Sequence, residues 1–160
     1  MAVEDSASGS GTSPDGRVHP SNLAMYNDAN ENRALTAGLG ATCIAVLTFV
    51  LIFLYDRANA GQVNDLLFQG TLLVIVVSLS LVSLASLNYW FVMEAYRNSP
   101  SRAATYEQRA DGFFASSLIL LLLEPALILV TVKLYVLGAI GLGFWVLGIV
   151  LLAFGWKELR

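Results

Sequence analysis

Charge is distributed very unevenly along this chain. No Asp, Glu, Lys or Arg occurs from Ala34 to Tyr55 or from Leu66 to Met93. Gly112 to Val132 is interrupted only by Glu124, and Leu134 to Trp156 is free of charge again. About 20 apolar residues in a helix cross roughly 30 Å of hydrocarbon, so each stretch is long enough for one passage. The pattern predicts an all-α integral membrane protein with four spans, over about 35–55, 71–93, 113–132 and 137–156. The expected architecture is an up-down-up-down four-helix bundle.

The flanks read differently. Residues 1–33 are dominated by Ser, Gly, Asp, Asn and Pro and bury too little apolar surface to offset ordering entropy, which predicts a disordered cytoplasmic tail. No basic segment precedes an apolar core near Met1, so a secretory signal is not expected. Between the second and third spans, Ser99-Pro100 has the form of an N-cap followed by Pro at the first helical position, which predicts a short helix over 100–110. Arg102, Tyr106 and Arg109 fall on one face of it. With Arg97, these arginines are expected at lipid headgroups.

Orientation follows from Lys and Arg. Four spans place both termini and the 94–111 loop on one side, with Arg17, Arg33, Arg97, Arg102, Arg109, Lys157 and Arg160; the other side holds Arg57 and Lys133. Seven against two places both termini in the cytoplasm, in a multi-pass plasma-membrane protein.

Composition narrows the function. Of 160 residues 56 % are hydrophobic and 13 % charged, about half the usual charged share, which excludes a soluble globular enzyme. The net charge of −3 gives no reason to expect nucleic acid. One Cys and one His cannot build a metal cluster or a disulfide within the chain. No nucleophile–base set or phosphate loop is visible, so neither catalysis nor a cofactor is expected.

Small residues mark expected helix contacts, because membrane helices gain from close backbone approach. Ala37, Ala41 and Ala45 repeat every four residues in the first span; Gly141, Gly148 and Gly155 repeat every seven in the fourth. These stripes serve contacts within the bundle or between subunits, so the expected partners are the bilayer and a second copy or another membrane protein.

Glu124 is the residue that asks for a function. It lies about 18 Å along the third span from Gly112, near mid-membrane. Pro125 follows, lacks an N–H and frees the carbonyl of Leu121. An acid beside an opened helix is an expected proton or cation ligand, and Ser80, Ser83 and Thr48 are its expected auxiliary ligands. The same acid hydrogen-bonded to those hydroxyls would instead be interhelical glue. Two functions follow: movement of a small cation or proton past Glu124, or a non-transporting scaffold that docks helices through the Gly and Ala stripes.

The run Arg109-Ala110-Asp111-Gly112-Phe113-Phe114-Ala115, followed by Leu120 to Glu124, faintly resembles the first-helix signature of the lysosomal-type potassium channel family. There an Arg precedes Phe-Ser-Asp-Gly and a Leu-rich span ending in an acid. The Phe-Ser pair is absent here and that family's repeat has six spans against the four counted, so no membership is assigned.

Overall fold

A computed structural model describes the backbone of residues 22–98 and 100–158, with side chains over 22–98 and 101–151. It is all-helical: α1 Leu23–Asn59, α2 Asp65–Asn98, α3 Pro100–Thr131 and α4 Tyr135–Glu158. The first three are long and apolar enough to cross a membrane, while the apolar part of α4, Tyr135–Leu151, is shorter.

Two boundaries differ from the sequence expectation. α1 begins at Leu23, so the last third of the segment read as a disordered tail is helical; Ala29 packs there against Val92, Met93 and Tyr96 of α2. That contact supplies apolar burial invisible in local composition. The expected helix over 100–110 is not separate either. It is the first part of α3, which continues without interruption to Thr131 and buries Ala103 and Ala110 along the way. Pro100 opens α3 as expected, and Ser99 lies outside the described residues.

The packing follows a seven-residue period. In α1 the buried positions include Ala29, Thr36, Cys43 and Val50; in α3 they include Ala103, Ala110, Ser117, Glu124 and Thr131. Between them α2 buries Phe68, Thr71, Ile75, Ser78, Val82, Ala85, Tyr89, Val92 and Tyr96, alternating steps of three and four. Such a repeat keeps one seam facing its partner in left-handed supercoiled packing. α2 is therefore the central helix, clasped by α1 and α3, which scarcely meet each other. Early α1 residues meet late α2 residues, and Tyr89 of α2 meets Ala110 of α3, so neighbours run in opposite senses.

Two side-chain hydrogen bonds tie α2 to α3. Thr71 and Thr131 join through their hydroxyls at 2.9 Å, and Tyr89 donates its hydroxyl to Asp111 Oδ1 at 2.7 Å. Between membrane helices in general such bonds contribute about 0.6 kcal/mol each.

α4 is held differently. It makes its extensive contact with α3 alone, and Trp145 donates its indole N–H to the carbonyl of Ile119 at 2.7 Å. At Gly141 an added Cβ would stand 3.1 Å from Cβ of Ala126, tighter than ordinary contact, so glycine sets this approach. Gly148 faces Leu122 more loosely. The glycine stripe thus turns toward α3, with Gly155 in the stretch whose side chains are not described. The alanine stripe does not pack inside the chain: Ala37, Ala41 and Ala45 are all exposed, because the buried α1 seam runs through Thr36, Cys43 and Val50.

The turns repeat one device. After α1, Gly61 has φ +71°, Gln62 N donates to Arg57 O at 2.9 Å and Gly61 N to Ala58 O at 3.0 Å. After α3, Lys133 has φ +66°, Leu134 N donates to Leu129 O at 2.9 Å and Lys133 N to Val130 O at 3.0 Å. Both are Schellman closures, in which the left-handed residue is usually Gly. Asn64 then caps α2, its Oδ1 accepting from the N–H groups of Leu66 and Leu67.

Two substitutions test this packing. Ala110→Leu, at a fully buried α2–α3 contact, should lower the unfolding free energy by about 1–3 kcal/mol in a denaturant–detergent titration, with exposed Ala104→Leu within about 0.5 kcal/mol of wild type. Lys133→Gly relieves a left-handed conformation costly for a residue with a Cβ and should raise stability by about 1 kcal/mol in the same assay. A drop there would show that the Lys side chain contributes more than the backbone strain removes.

Candidate functional site

Glu124 occupies the fourth position of the buried α3 repeat, between Ser117 and Thr131. The heptad step, not its own chemistry, delivers it to the α2 seam. It is 2 % exposed, and Oε1 is, among the described residues, the one buried side-chain oxygen or nitrogen without a hydrogen-bond partner.

Its neighbours come from both adjoining helices. Ser78 of α2 lies within hydrogen-bond reach of the carboxyl, and Cys43 of α1 is close enough to feel its charge. Ser78 Oγ donates its single proton to the carbonyl of Val74 at 3.0 Å. While that bond is made, Ser78 offers the carboxyl only lone pairs, and a carboxyl that meets it favourably must carry a proton and donate.

A cleft of about 420 Å³ opens beside the carboxyl where α1 and α3 part. Thr42 and Val46 form one wall; Leu121, Glu124, Pro125, Ile128 and Leu129 form the other. Pro125 has no N–H to give Leu121, so a freed backbone acceptor stands on the wall that carries Glu124. Apart from the Thr42 hydroxyl the remaining lining is apolar, and Glu124 is the one charged residue type in it. Among the described residues no three or more His, Cys, Asp or Glu side chains gather where they could hold a metal ion.

The structure separates the sequence-derived candidates. Glu124 and Pro125 share the cleft, but Ser80, Ser83 and Thr48 do not join them. Ser80 donates to Val76 O, Ser83 to Leu79 O and Thr48 to Ile44 O, each at 2.8 Å, and all three are exposed. Serine and threonine in a helix readily bond the carbonyl one turn back, so depth along a span is insufficient to place them at a site. The neighbours that do face Glu124, Ser78 and Cys43, share a different signal: each falls on its helix's seven-residue seam.

The arginines expected at headgroups, Arg97, Arg102 and Arg109, are exposed. Arg97 lies over the Tyr26 ring, 5.7 Å from its centroid, and Tyr106 stacks on Phe91 at 5.5 Å. These contacts bring α1, α2 and α3 together at the end of the molecule remote from Thr71 and Thr131.

No protein-family model, curated protein or solved structure matches this chain. The site therefore has to be read from its own chemistry. A carboxyl beside an apolar cleft that takes up a proton should react with a membrane-permeant carbodiimide, passing its proton to the reagent's nitrogen and adding its oxygen to the central carbon. Peptide mass mapping should find the adduct at Glu124, and Glu124→Gln should abolish it. An unmodified Glu124 under conditions that label Asp65 would show that the cleft does not admit the reagent.

Proposed function

We propose that this is a multi-pass membrane protein whose working group is Glu124, which takes up and releases a proton through the cleft between α1 and α3. The observation that carries the reading is the unpartnered Oε1 of a buried carboxyl on the wall of that cleft. An intramembrane acid is costly to keep and, where present, commonly marks an ion or proton path. A proton needs one acceptor oxygen. A hard metal cation such as Ca²⁺ takes six to eight oxygen ligands, and beyond the Glu124 carboxyl, the Leu121 carbonyl and the Thr42 hydroxyl the cleft lining is apolar, which falls well short of that set. Within the broader class of small-cation movement, the proton fits best.

In this reading the helices cross the plasma membrane alternately, α4 included, with both termini in the cytoplasm, as the Lys and Arg bias directs. Repeated units complete the path, since one chain's apolar cleft leads to Glu124 without continuing as a polar channel. A homo-oligomer is thus part of the proposal. The competing assignment, a non-transporting subunit that docks partner helices, draws on the outward-facing Ala37, Ala41 and Ala45.

Proton flux into liposomes distinguishes the two. Wild-type protein should acidify or alkalinise the lumen along an imposed gradient, while Glu124→Gln should fall to the background of protein-free liposomes and still elute as the same oligomer. Wild-type flux at background under both voltage signs would retire proton movement in favour of the docking subunit.

A further inference from the structure

On the opposite side of α1 from the Glu124 cleft lies a second, larger groove of about 740 Å³, between α1 and α2. Its size falls in the range of roughly 300–1,000 Å³ typical of small-ligand sites. Ala37, Gly40 and Ala41 form its floor on α1; Ser83, Ser86 and Trp90 line it from α2, and Arg33 stands at its end. The alanine stripe that finds no partner inside the chain lies here.

Charge and length point to one occupant. Arg33 is the last charged residue before the first apolar stretch, and among the described residues no carboxylate forms an ion pair with it. Trp90, an interfacial residue type, closes the same end from α2. The groove reaches from Arg33 to Ile44 on α1 and from Trp90 to Leu79 on α2, eleven helical steps on each. At 1.5 Å per residue that is about 16 Å, roughly half of a 30 Å hydrocarbon core and so the depth of one leaflet. Past that depth the same face of α1 carries the exposed large side chains of Leu51, Ile52 and Tyr55 in place of the small ones. A partner helix would need the small-residue face to continue across both leaflets.

We propose that this groove holds one glycerophospholipid with an anionic headgroup, its phosphate on the Arg33 guanidinium and one acyl chain along Ala37, Gly40 and Ala41. Ser86, one turn deeper than Trp90, stands at the level of the glycerol ester. The proposal shares only the membrane placement with proton movement at Glu124, and its test does not depend on flux.

The full chain, purified in a neutral detergent and offered equal phosphatidylglycerol and phosphatidylcholine of identical chains, is weighed by native mass spectrometry. Wild-type protein should retain one lipid per chain with about fivefold preference for phosphatidylglycerol, the scale of a single arginine at a membrane surface. Arg33→Gln should bring that ratio to one, and Arg57→Gln, exposed at the far end of α1 and outside the groove, should leave it unchanged. Ala41→Phe should displace both lipids by filling the groove; Ala37→Leu serves the same end if the bulkier substitution disturbs helical content by circular dichroism. Equal retention of the two lipids by wild type overturns the proposal, as does an Arg57→Gln effect as large as that of Arg33→Gln. Conversion of a dimer to a monomer by Ala41→Phe with lipid retention unchanged also overturns it, and assigns the groove to a second copy.

Discussion

The close approach of three helices along a seven-residue repeat is the constraint on which the rest depends. Lipid tails solvate apolar side chains as well as protein does, so burial alone gives membrane helices little reason to associate. What separates contact from no contact is how near two backbones can come. Ala29, Thr36 and Cys43 on α1, and Ala103, Ala110 and Ser117 on α3, present small side chains where α2 presses against them. Against these small positions α2 sets larger side chains such as Val82 and Tyr89, so there the central helix fills space that its neighbours leave.

Glu124 belongs to this repeat and departs from it in chemistry. A polar group at one position of an otherwise well-packed seam ties its helices to one register, because sliding by a turn would move the carboxyl away from Ser78 and into apolar surroundings. At the same position the seam borders open space, the cleft between α1 and α3. Register and proton chemistry are thus compatible in one residue: the carboxyl is fixed by its helix while one oxygen stays without a partner.

Much of the fold was legible because charge is so sparse. Interruptions at Asp56 and Arg57, at Glu94 and Arg97, and at Lys133 mark where helices turn or leave the apolar zone, and the helix count follows. Which face of each helix is buried was not legible by the same means. Apolar residues surround every span, so periodicity in hydrophobicity vanishes, and the seam is carried by residue size instead. Read by size, Ala103, Ala110 and Ser117 lead by sevens to Glu124. Glu124 and Pro125 were visible as exceptions to the composition. Ser80, Ser83 and Thr48 were misplaced because their hydroxyls are satisfied by their own helices. The helical start at Leu23 was hidden for another reason: it depends on Val92 and Tyr96, almost 70 residues away in sequence.

Each helix makes its main contacts with the one before and the one after it in the chain. Under the proposed membrane placement, with helices entering the bilayer during translation, this order has a kinetic meaning. Every newly released helix meets a surface already in place, through a tight connection such as Ala60–Asn64 or Val132–Leu134. The hairpin of α1 and α2 can close before α3 leaves the ribosome, and α4 needs only α3 to dock. Low sequence separation between contacting segments favours rapid folding. The chain is thereby suited to assembling from its N-terminal end without holding unpaired helices in the membrane until synthesis ends.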